Sequence, residues 1–463
     1  MTKEEKVRGR RVGVIGMARS GLAAAILARQ QGGIPFVSDS GRADLLTAQT
    51  ARLEKAGILF ETDRHTERVL AVDYLVISPG VSQKSEILKQ ARAKGIPIFS
   101  EIEFASWFCQ GKIVAITGTN GKTTTTALTG EVFKSSGTPT YVCGNIGLAF
   151  AEVAADVPPD GVAVVEISSF QLETIADFHP NVAVILNITP DHLDRHGSMA
   201  GYRAVKYRIT ENQGPGDYFV VNAEDPELSA NPASTSAARI IFSTQNDRKA
   251  NTFVRDGALW TRIDGKEARI IGVDQIGIPG PHNLQNAAAA VISGALLGVK
   301  PDAMAEALRH FPGVEHRLEK VPSVAGVNFI NDSKATNVDS VCVALRSMRT
   351  PTYLILGGRD KGAPYDPIIE AGKKVIKGIL VLGEAKDKIF AQLGKSFPIE
   401  FVNSLEDAVA RGFELAHPGE TVLLSPGCAS FDMFENFEHR GRAFKAAVAS
   451  LKNGKSKGET VTS

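Results

Sequence analysis

Residues 113–128 read IVAITGTNGKTTTTAL. The apolar run Ile113–Thr117 predicts a strand, which leads into the loop Gly118-Thr119-Asn120-Gly121-Lys122-Thr123-Thr124 and then into a helical pattern. Glycines let the backbone curl so that successive N–H groups face phosphate oxygens, and the helix N-terminus adds its positive end. The usual phosphate-loop pattern has a glycine where this chain has Ile116. The stretch therefore predicts a shortened phosphate loop, with an ordinary glycine turn as the alternative.

The two polar residues that follow the loop's second glycine fit this prediction. In a phosphate loop, a lysine such as Lys122 reaches the outer phosphates and a hydroxyl such as that of Thr123 ligates Mg²⁺. We therefore expect residues 118–124 to bind ATP.

The same alternation of strand and helix runs through nearly the whole chain, which predicts parallel sheets covered by helices. The predicted strands are Arg11–Ile15, Pro35–Ser38, Tyr74–Ser78, Ile96–Phe99, Ile113–Thr117, Gly161–Glu166, Val182–Asn187, Tyr218–Asn222, Val327–Asn331, Tyr353–Leu356, Gly378–Leu382 and Thr421–Ser425. A length of 463 residues suggests about three domains. We predict an α/β protein with a Rossmann-like domain at 1–107, a central P-loop ATPase-type domain at 108–312 and a second Rossmann-like domain at 313–463.

The bulk composition excludes several classes of protein. Lysines and arginines number 52 against 51 acidic residues, so no global field favours nucleic acid or a charged membrane. Four dispersed cysteines form no CxxC pair, which argues against a zinc ribbon or a disulfide framework and fits a reducing compartment. No stretch approaches the ~20 apolar residues of a membrane span. We expect a cytoplasmic monomer that binds neither nucleic acid nor membrane.

Carboxylates at two further strand ends suggest a metal site beside the loop. Glu166 ends one predicted strand, and Asp191-His192-Leu193-Asp194-Arg195-His196 follows another. Hard carboxylate oxygens suit Mg²⁺, and His192 could complete a second metal's shell or contact substrate. The alternative is that the aspartates cap the next helix and the histidines lie on the surface. From composition alone, Lys206 is a solvated lysine on a helix.

The N-terminal turn reads Gly16-Met17-Ala18-Arg19-Ser20-Gly21, and Asp39 ends the following strand. This resembles a dinucleotide fingerprint, but Ala18 places a methyl group where a pyrophosphate approaches the backbone most closely. An NAD site is therefore weakly supported. A different nucleotide diphosphate, with Asp39 on its ribose or base, remains open.

Three strand ends in the last third of the chain lead into polar, glycine-rich loops. They are Asn331-Asp332-Ser333-Lys334-Ala335-Thr336-Asn337, Gly357-Gly358-Arg359-Asp360-Lys361-Gly362 and Ser425-Pro426-Gly427-Cys428-Ala429-Ser430-Phe431. Such loops favour binding over packing and suggest a site for a second substrate, whereas simple connecting turns are the alternative.

Taken together, these segments resemble the bacterial muramyl ligases, which add amino acids to the peptidoglycan stem peptide in the cytoplasm. The resemblance rests on TGTNGKTTT, Glu166 with DHLDRH, YRAVK, HNLQNAAAA, HRLE, NDSKATN and SPGCASFDMF, which occur in that order. NDSKATN followed by the SPGCASFD segment is typical of the member that adds D-glutamate to UDP-N-acetylmuramoyl-L-alanine.

The resemblance also implies residue roles. Lys206 matches a lysine that CO₂ carbamylates, so that it helps Thr123, Glu166 and His192 hold two Mg²⁺ ions. Lys122, Glu166, His192 and Lys206 would form the catalytic group. ATP contacts match Asn283, Arg317 and Asp332 besides the loop. The family's residues that contact the uridine-sugar substrate correspond to Ser20, Asp39, Ser40 and Asn145. Contacts to D-glutamate match Lys334, Thr336, Lys361, Ser430 and Phe437.

Other functions remain as alternatives at this point. A sibling ligase for another amino acid would share the central domain but not the last three loops. An NAD-dependent oxidoreductase would leave Lys122 without a purpose, and a non-catalytic nucleotide switch would not need three converging sites.

Overall fold

In the computed structural model, the chain is described over residues 5–455, apart from the side chains of Asp194 and of residues 452–455. It divides into two compact units, Met1–Pro312 and Gly313–Ser463. The first unit holds two sheets and the second unit holds one. The finer division of the first unit near residue 107 stays a prediction.

The first sheet has five parallel strands in the order β3-β2-β1-β4-β5. Helix α1 can approach β1 closely because Gly21 has no side chain: an added Cβ would lie 1.9 Å from the carbonyl oxygen of Gly16. The elements are β1 Arg11–Ile15, α1 Arg19–Gln30, β2 Ile34–Ser38, α2 Thr47–Lys55, β3 Leu59–Glu61, β4 Tyr74–Ile77, α3 Glu86–Ala93, β5 Ile98–Ser100 and α4 Glu101–Ser106.

The second sheet has nine strands in the order β14-β13-β12-β11-β10-β9-β6-β8-β7. Strands β6 to β11 pair in parallel, and β12 to β14 form an antiparallel extension. The strands are β6 Lys112–Thr117, β7 Thr140–Gly144, β8 Val162–Glu166, β9 Val182–Ile185, β10 Tyr218–Asn222, β11 Ala238–Phe242, β12 Thr252–Arg255, β13 Ala258–Ile263 and β14 Lys266–Gly272. The helices are α5 Lys122–Ser135, α6 Phe150–Val153, α7 Ser169–Leu172, α8 Leu193–His196, α9 Met199–Tyr207, α10 Pro226–Ala230, α11 Pro281–Leu296 and α12 Pro301–His310.

The second unit contains one sheet in the order β15-β16-β20-β17-β18-β19, in which only the edge strand β15 is antiparallel to its neighbour. Its elements are β15 Glu319–Val324, β16 Val327–Asn331, α13 Val338–Ser347, β17 Thr352–Gly357, α14 Pro367–Gly372, β18 Ile376–Leu382, α15 Lys386–Leu393, β19 Ile399–Phe401, α16 Leu405–Leu415, β20 Thr421–Leu424 and α17 Phe437–Lys455.

The α/β class and the parallel sheets are confirmed, and each predicted strand overlaps an observed one to within one or two residues at either end. The prediction missed strands such as β3 and β19, which lie at sheet edges. Each has three residues and carries an exposed apolar side chain, Leu59 at 67% and Phe401 at 51%. Short exposed strands lack the buried apolar run on which the prediction depends. Between residues 5 and 455, no helix combines the length and apolar character needed to cross a membrane.

A buried carboxylate connects helix α4, which follows the first sheet, to the segment that precedes strand β9 of the second sheet. Glu103, in α4, is 0% exposed. Its oxygens accept hydrogen bonds from the N–H groups of Ala176 (2.9 Å), Asp177 (3.0 Å) and Phe178 (2.8 Å), and from the indole Nε1 of Trp107 (2.7 Å). A carboxylate with this many donors is stable when buried. Its removal would leave the donors without an acceptor.

We predict that Glu103→Ala lowers the stability of the first unit by about 2–6 kcal/mol, because the buried N–H of Phe178 and the buried indole N–H of Trp107 lose their acceptor, at about 1–3 kcal/mol each. Urea unfolding followed by tryptophan fluorescence measures the change, since Trp107 contacts the carboxylate. Glu86→Gln is the matched control. Glu86 forms an exposed ion pair with Lys89, so the urea midpoint of this variant should stay near that of the wild type. Equal midpoints for the two variants would contradict the proposed role of Glu103.

Candidate active site

The loop between β6 and α5 has the shape of a phosphate loop. Gly121 is the N-cap residue of α5 with φ +82°, and Gly118 has φ +153°, both in a region that side chains disfavour. A Cβ at Gly121 would also lie 2.5 Å from Oδ1 of Asn286 in helix α11. The glycines therefore allow the turn and leave the first N–H groups of α5 outside the helix's own hydrogen bonds.

Two lysines converge on this loop. The Nζ of Lys122 donates to the carbonyl oxygens of Gly118 (2.9 Å) and Thr119 (2.8 Å). The Nζ of Lys206, from α9, donates to the same Gly118 oxygen at 2.8 Å and lies 3.4 Å from the hydroxyl of Thr117. The ring of Tyr202 lies 4.6 Å from the Lys206 nitrogen.

Lys206 is 1% exposed, so the composition-based expectation of a solvated lysine is wrong. Its helix packs on the loop, and the side chain points inward. Burial lowers the pKa of Lys206 well below its usual value, and the nearby charge of Lys122 lowers it further. A lowered pKa increases the fraction of neutral amine, which is the form that reacts with CO₂.

Glu166 lies at the end of β8, beside the loop strand β6. The side chain is 1% exposed. Its Oε1 accepts a hydrogen bond from Nδ2 of Asn145 at 3.0 Å, whereas its Oε2 is buried with no hydrogen-bond partner in the described part of the chain. A buried carboxylate oxygen without a donor is costly unless a cation binds it. The donor set therefore fits Mg²⁺, and the structure brings Asn145 and Glu166 together.

Thr123 and His192 are two further predicted metal ligands. Thr123 is buried in the first turn of α5. His192 is exposed, with its Nε2 3.6 Å from a carboxylate oxygen of Asp191 and its ring 4.8 Å from that of Phe170. Over residues 5–455, no hydrogen bond or ion pair connects His192 with Glu166 or Lys206.

Asn283 lies in the first turn of α11, next to the loop's helix. Its Oδ1 accepts a hydrogen bond from Nδ2 of Asn286 (3.2 Å), and Asn286 in turn accepts one from the hydroxyl of Thr125 (3.1 Å). These two hydrogen bonds connect Asn283 to α5 through side chains.

Three of the four predicted uridine-sugar residues lie near the carboxyl ends of β1 and β2, whereas Asn145 follows β7. The two Asp39 oxygens accept hydrogen bonds from the N–H groups of Met17 (2.6 Å) and Gly41 (2.7 Å). Ser20 is half-buried in the first turn of α1, and Ser40 is exposed. The sheet order changes direction at β1, which has β2 on one side and β4 on the other, and ligands bind at such points in open α/β sheets.

In the second unit, Asp332 follows β16 and is 5% exposed. Burial raises the pKa of Asp332 to about 7, against the opposing effects of the Ser425 hydroxyl, which donates to it at 2.8 Å, and of Arg317. The buried Nε of Arg317 has no hydrogen-bond partner among residues 5–455. The structure thus places Arg317 and Asp332 close enough to interact.

Four of the five predicted D-glutamate residues form two pairs. The Nζ of Lys361 donates to the hydroxyl of Thr336 at 3.3 Å, and the Nζ of Lys334 lies 5.5 Å from the ring of Phe437. Ser430 is 2% exposed in the loop after β20.

Arg440, in α17, is a residue that the sequence interpretation missed. It is 3% exposed and donates to the Ser333 hydroxyl (3.0 Å), the Ser333 carbonyl oxygen (2.8 Å) and the Cys428 carbonyl oxygen (3.3 Å), which joins two of the three loops. Burial lowers the pKa of Arg440 to about 10. The available signal was its spacing from Phe437 and Phe444, which puts an arginine on the apolar stripe of the helix.

Asn187, two residues beyond β9, was also missed, because it was counted as the last residue of the predicted strand Val182–Asn187. Its side chain contacts the phosphate loop directly.

Comparisons with known families agree along the chain. Residues 10–100 match the model of the Mur ligase MurD-like N-terminal domain. Residues 116–294 match the Mur ligase middle domain, and residues 316–428 match the Mur ligase glutamate ligase domain.

Several curated relatives are similar over nearly their full length. The UDP-N-acetylmuramoylalanine–D-glutamate ligase of Koribacter versatilis is 44% identical over 96% of this chain and 98% of its own. Proteins of the same name from a Thermoanaerobacter strain and from Salinibacter ruber are 41% and 42% identical, each covered over 100% of its length and over 96% and 97% of this chain.

Solved structures share the fold. The UDP-N-acetylmuramate–alanine ligase of Thermotoga maritima matches with a TM-score of 0.60 at 20% identity, over 96% of this chain and 100% of that one. A MurF ligase from the same organism, solved in complex with ADP, matches with a TM-score of 0.59 at 15% identity, over 97% of each chain. With three family models across its length and relatives above 40% identity, the chain belongs to the Mur ligase family.

Proposed function

We propose that this protein is an ATP-dependent ligase that adds D-glutamate to UDP-N-acetylmuramoyl-L-alanine and releases ADP and phosphate. The observation that carries the proposal is the convergence of Lys122, the buried Lys206 and the buried Glu166 around one glycine loop. Relatives at 41–44% identity that bear this activity in their names support the choice of substrates.

In the first chemical step, an oxygen of the terminal alanine carboxylate attacks the γ-phosphorus of ATP, and ADP leaves. Phosphoryl transfer depends on positioning and on charge stabilisation more than on covalent help from the protein. Lys122 would therefore leave its loop carbonyls and follow the charge on the transferring phosphate, while the N–H groups at the start of α5 orient the phosphates.

Two Mg²⁺ ions, held by Thr123, Glu166, His192 and a carbamylated Lys206, would supply charge neutralisation on the phosphate oxygens. Carbamylation converts the amine of Lys206 into an anionic ligand. The low pKa that burial gives this lysine favours the reaction with CO₂.

In the second step, the amine of D-glutamate attacks the acyl phosphate carbon, and the tetrahedral intermediate expels phosphate to leave an amide. We assign D-glutamate to Lys334, Thr336, Lys361, Ser430 and Phe437, and the uridine-sugar substrate to Ser20, Asp39, Ser40 and Asn145. Asn283, Arg317 and Asp332 are assigned to ATP. The alternative is a sibling ligase that uses a different amino acid.

The amino acid is tested by phosphate release from ATP in the presence of UDP-N-acetylmuramoyl-L-alanine. We expect release with D-glutamate and at least about 100-fold less with L-glutamate, L-alanine or a diamino acid, because the wrong stereochemistry or length leaves buried polar groups unpaired. Release with one of these and none with D-glutamate would instead support the sibling ligase.

Lys206→Ala tests the carbamate. We expect turnover to fall by about 10²–10³-fold or more, since an electrostatic partner of the transferring phosphate is lost. A small added carboxylic acid should restore part of the rate by filling the space with a carboxylate. The measurement is steady-state phosphate release with and without the additive.

The matched control is Lys134→Ala, which removes an exposed lysine that pairs with Glu131 on helix α5. Its turnover should equal that of the wild type and should not respond to the additive. If Lys206→Ala turned over like this control, the proposed carbamate would have to be abandoned.

Glu166→Gln tests the metal site. The amide has the size of the carboxylate but no charge, so we expect the Mg²⁺ concentration for half-maximal activity to rise about tenfold or more. A magnesium titration of phosphate release measures it, with the exposed Glu131→Gln as control. An unchanged Mg²⁺ requirement in Glu166→Gln would exclude Glu166 as a ligand.

A further inference from the structure

Asn187 is bound to the phosphate loop through both ends of its side-chain amide. Its Oδ1 accepts hydrogen bonds from the N–H groups of Thr119 (3.1 Å) and Asn120 (2.8 Å), and its Nδ2 donates to the carbonyl oxygen of Asn120 (3.1 Å). The Asn187 carbonyl oxygen accepts a further bond from Thr119 N–H at 3.0 Å. Asn187 thus binds three of the four backbone polar groups of Thr119 and Asn120.

The following residues extend this attachment. The hydroxyl of Thr119 donates to the carbonyl oxygen of Thr189 (3.1 Å) and accepts from the N–H of Thr189 (3.0 Å). The segment from 187 to 189 is therefore joined to the loop at both of its ends. His192 lies three residues beyond Thr189, so the segment that leads to this predicted metal ligand starts at the loop.

These contacts decide which loop amides can face a phosphate. An N–H group has one hydrogen, and those of Thr119 and Asn120 point at Asn187. The N–H groups at the start of α5 come after these two residues, and a helix N-terminus is a place where phosphate oxygens bind. The phosphates would then be bound by the second half of the loop and the helix N-terminus.

The shortened loop explains why it needs hydrogen bonds from a residue outside it, such as Asn187. A standard phosphate loop begins with a glycine at the position of Ile116, but here Ile116 is part of β6, where its carbonyl oxygen accepts the N–H of Ile167 at 2.9 Å. Three residues, 118–120, must therefore reverse the chain without the usual run of phosphate-facing amides. The amide of Asn187 supplies both an acceptor and a donor, whereas an ionised aspartate of the same size can only accept.

We propose that Asn187 is a positioning residue of the ATP site, which holds Thr119 and Asn120 and thereby fixes the shape of the phosphate loop ahead of α5. The proposal rests on the ATP-dependent function proposed above. Asn187 touches the loop and not the nucleotide, so Thr119 and Asn120 contribute to ATP binding through the shape of the loop.

The test uses Asn187→Ala in the full-length chain and measures ADP binding and UDP-N-acetylmuramoyl-L-alanine binding separately by calorimetry. We expect ADP to bind about 10–100-fold more weakly, because three hydrogen bonds that shape its site are lost. The affinity for the uridine-sugar substrate should stay within about twofold, since Asn187 shares no hydrogen bond with that site. Asn187→Ser, which keeps one acceptor, should give an intermediate ADP affinity and guards against misfolding of the alanine variant.

Asn181→Ala is a matched control. Asn181 precedes the same strand β9, and its Oδ1 accepts the N–H of Ile113 at 2.9 Å, at the opposite end of strand β6. This variant should lose a comparable strand-to-strand bond yet bind ADP like the wild type. Hydrogen exchange of a peptide covering 117–125 should accelerate in Asn187→Ala and stay unchanged in Asn181→Ala.

Three results would overturn the inference. Wild-type ADP affinity in Asn187→Ala would show that the hydrogen bonds of the Asn187 side chain are not needed for nucleotide binding. Equal weakening in Asn187→Ala and Asn181→Ala would show a general structural effect. Absence of ADP and ATP binding by the wild-type protein itself would reject the proposed function together with the inference.

Discussion

The carbonyl oxygen of Gly118 accepts hydrogen bonds from two lysines, Lys122 at 2.9 Å and Lys206 at 2.8 Å. Two amines so close together repel when both are charged, and burial adds to the cost for Lys206. The arrangement is tolerable if Lys206 gives up its proton, which is the direction in which its pKa is shifted. The geometry of one carbonyl oxygen therefore links the loop's shape to the chemistry of a lysine 88 residues away.

The sheets supply the framework for this pairing. Strands β8, β6 and β9 are neighbours in the second sheet and run in parallel, so Glu166, the loop and Asn187 reach the same edge. In the second unit, β16, β20 and β17 are likewise adjacent and parallel, which brings their three following loops to one edge. Parallel pairing converts distant sequence positions into neighbours, as open α/β sheets do generally.

Much of this could be predicted from the sequence because strand ends are visible as apolar runs followed by polar residues. Glu166, the loop 118–124 and the segment beginning at Asn331 were located in this way. Lys206 could not be, because a lysine among arginines on a helix looks solvated, and only the resemblance to a family reversed that interpretation. Asn187 carried no local signal, since its partners lie in another loop, and the signal for Arg440 was limited to its place on the apolar stripe of its helix.

The energetic pattern separates the site from the rest of the fold. Glu103 is as deeply buried as Glu166, yet its carboxylate is surrounded by donors that all come from the chain. Glu166 has one such donor on Oε1 and none within residues 5–455 on Oε2. A buried carboxylate that the chain itself satisfies stabilises the fold, whereas one left half satisfied costs stability unless a ligand completes it. Asp332 differs from Glu166 in this respect, because its oxygens accept hydrogen bonds from the Ser425 hydroxyl (2.8 Å) and the Leu318 N–H (3.2 Å), although burial raises its pKa to about 7. The free energy cost of leaving Oε2 of Glu166 unpaired is thus one that a bound cation would remove.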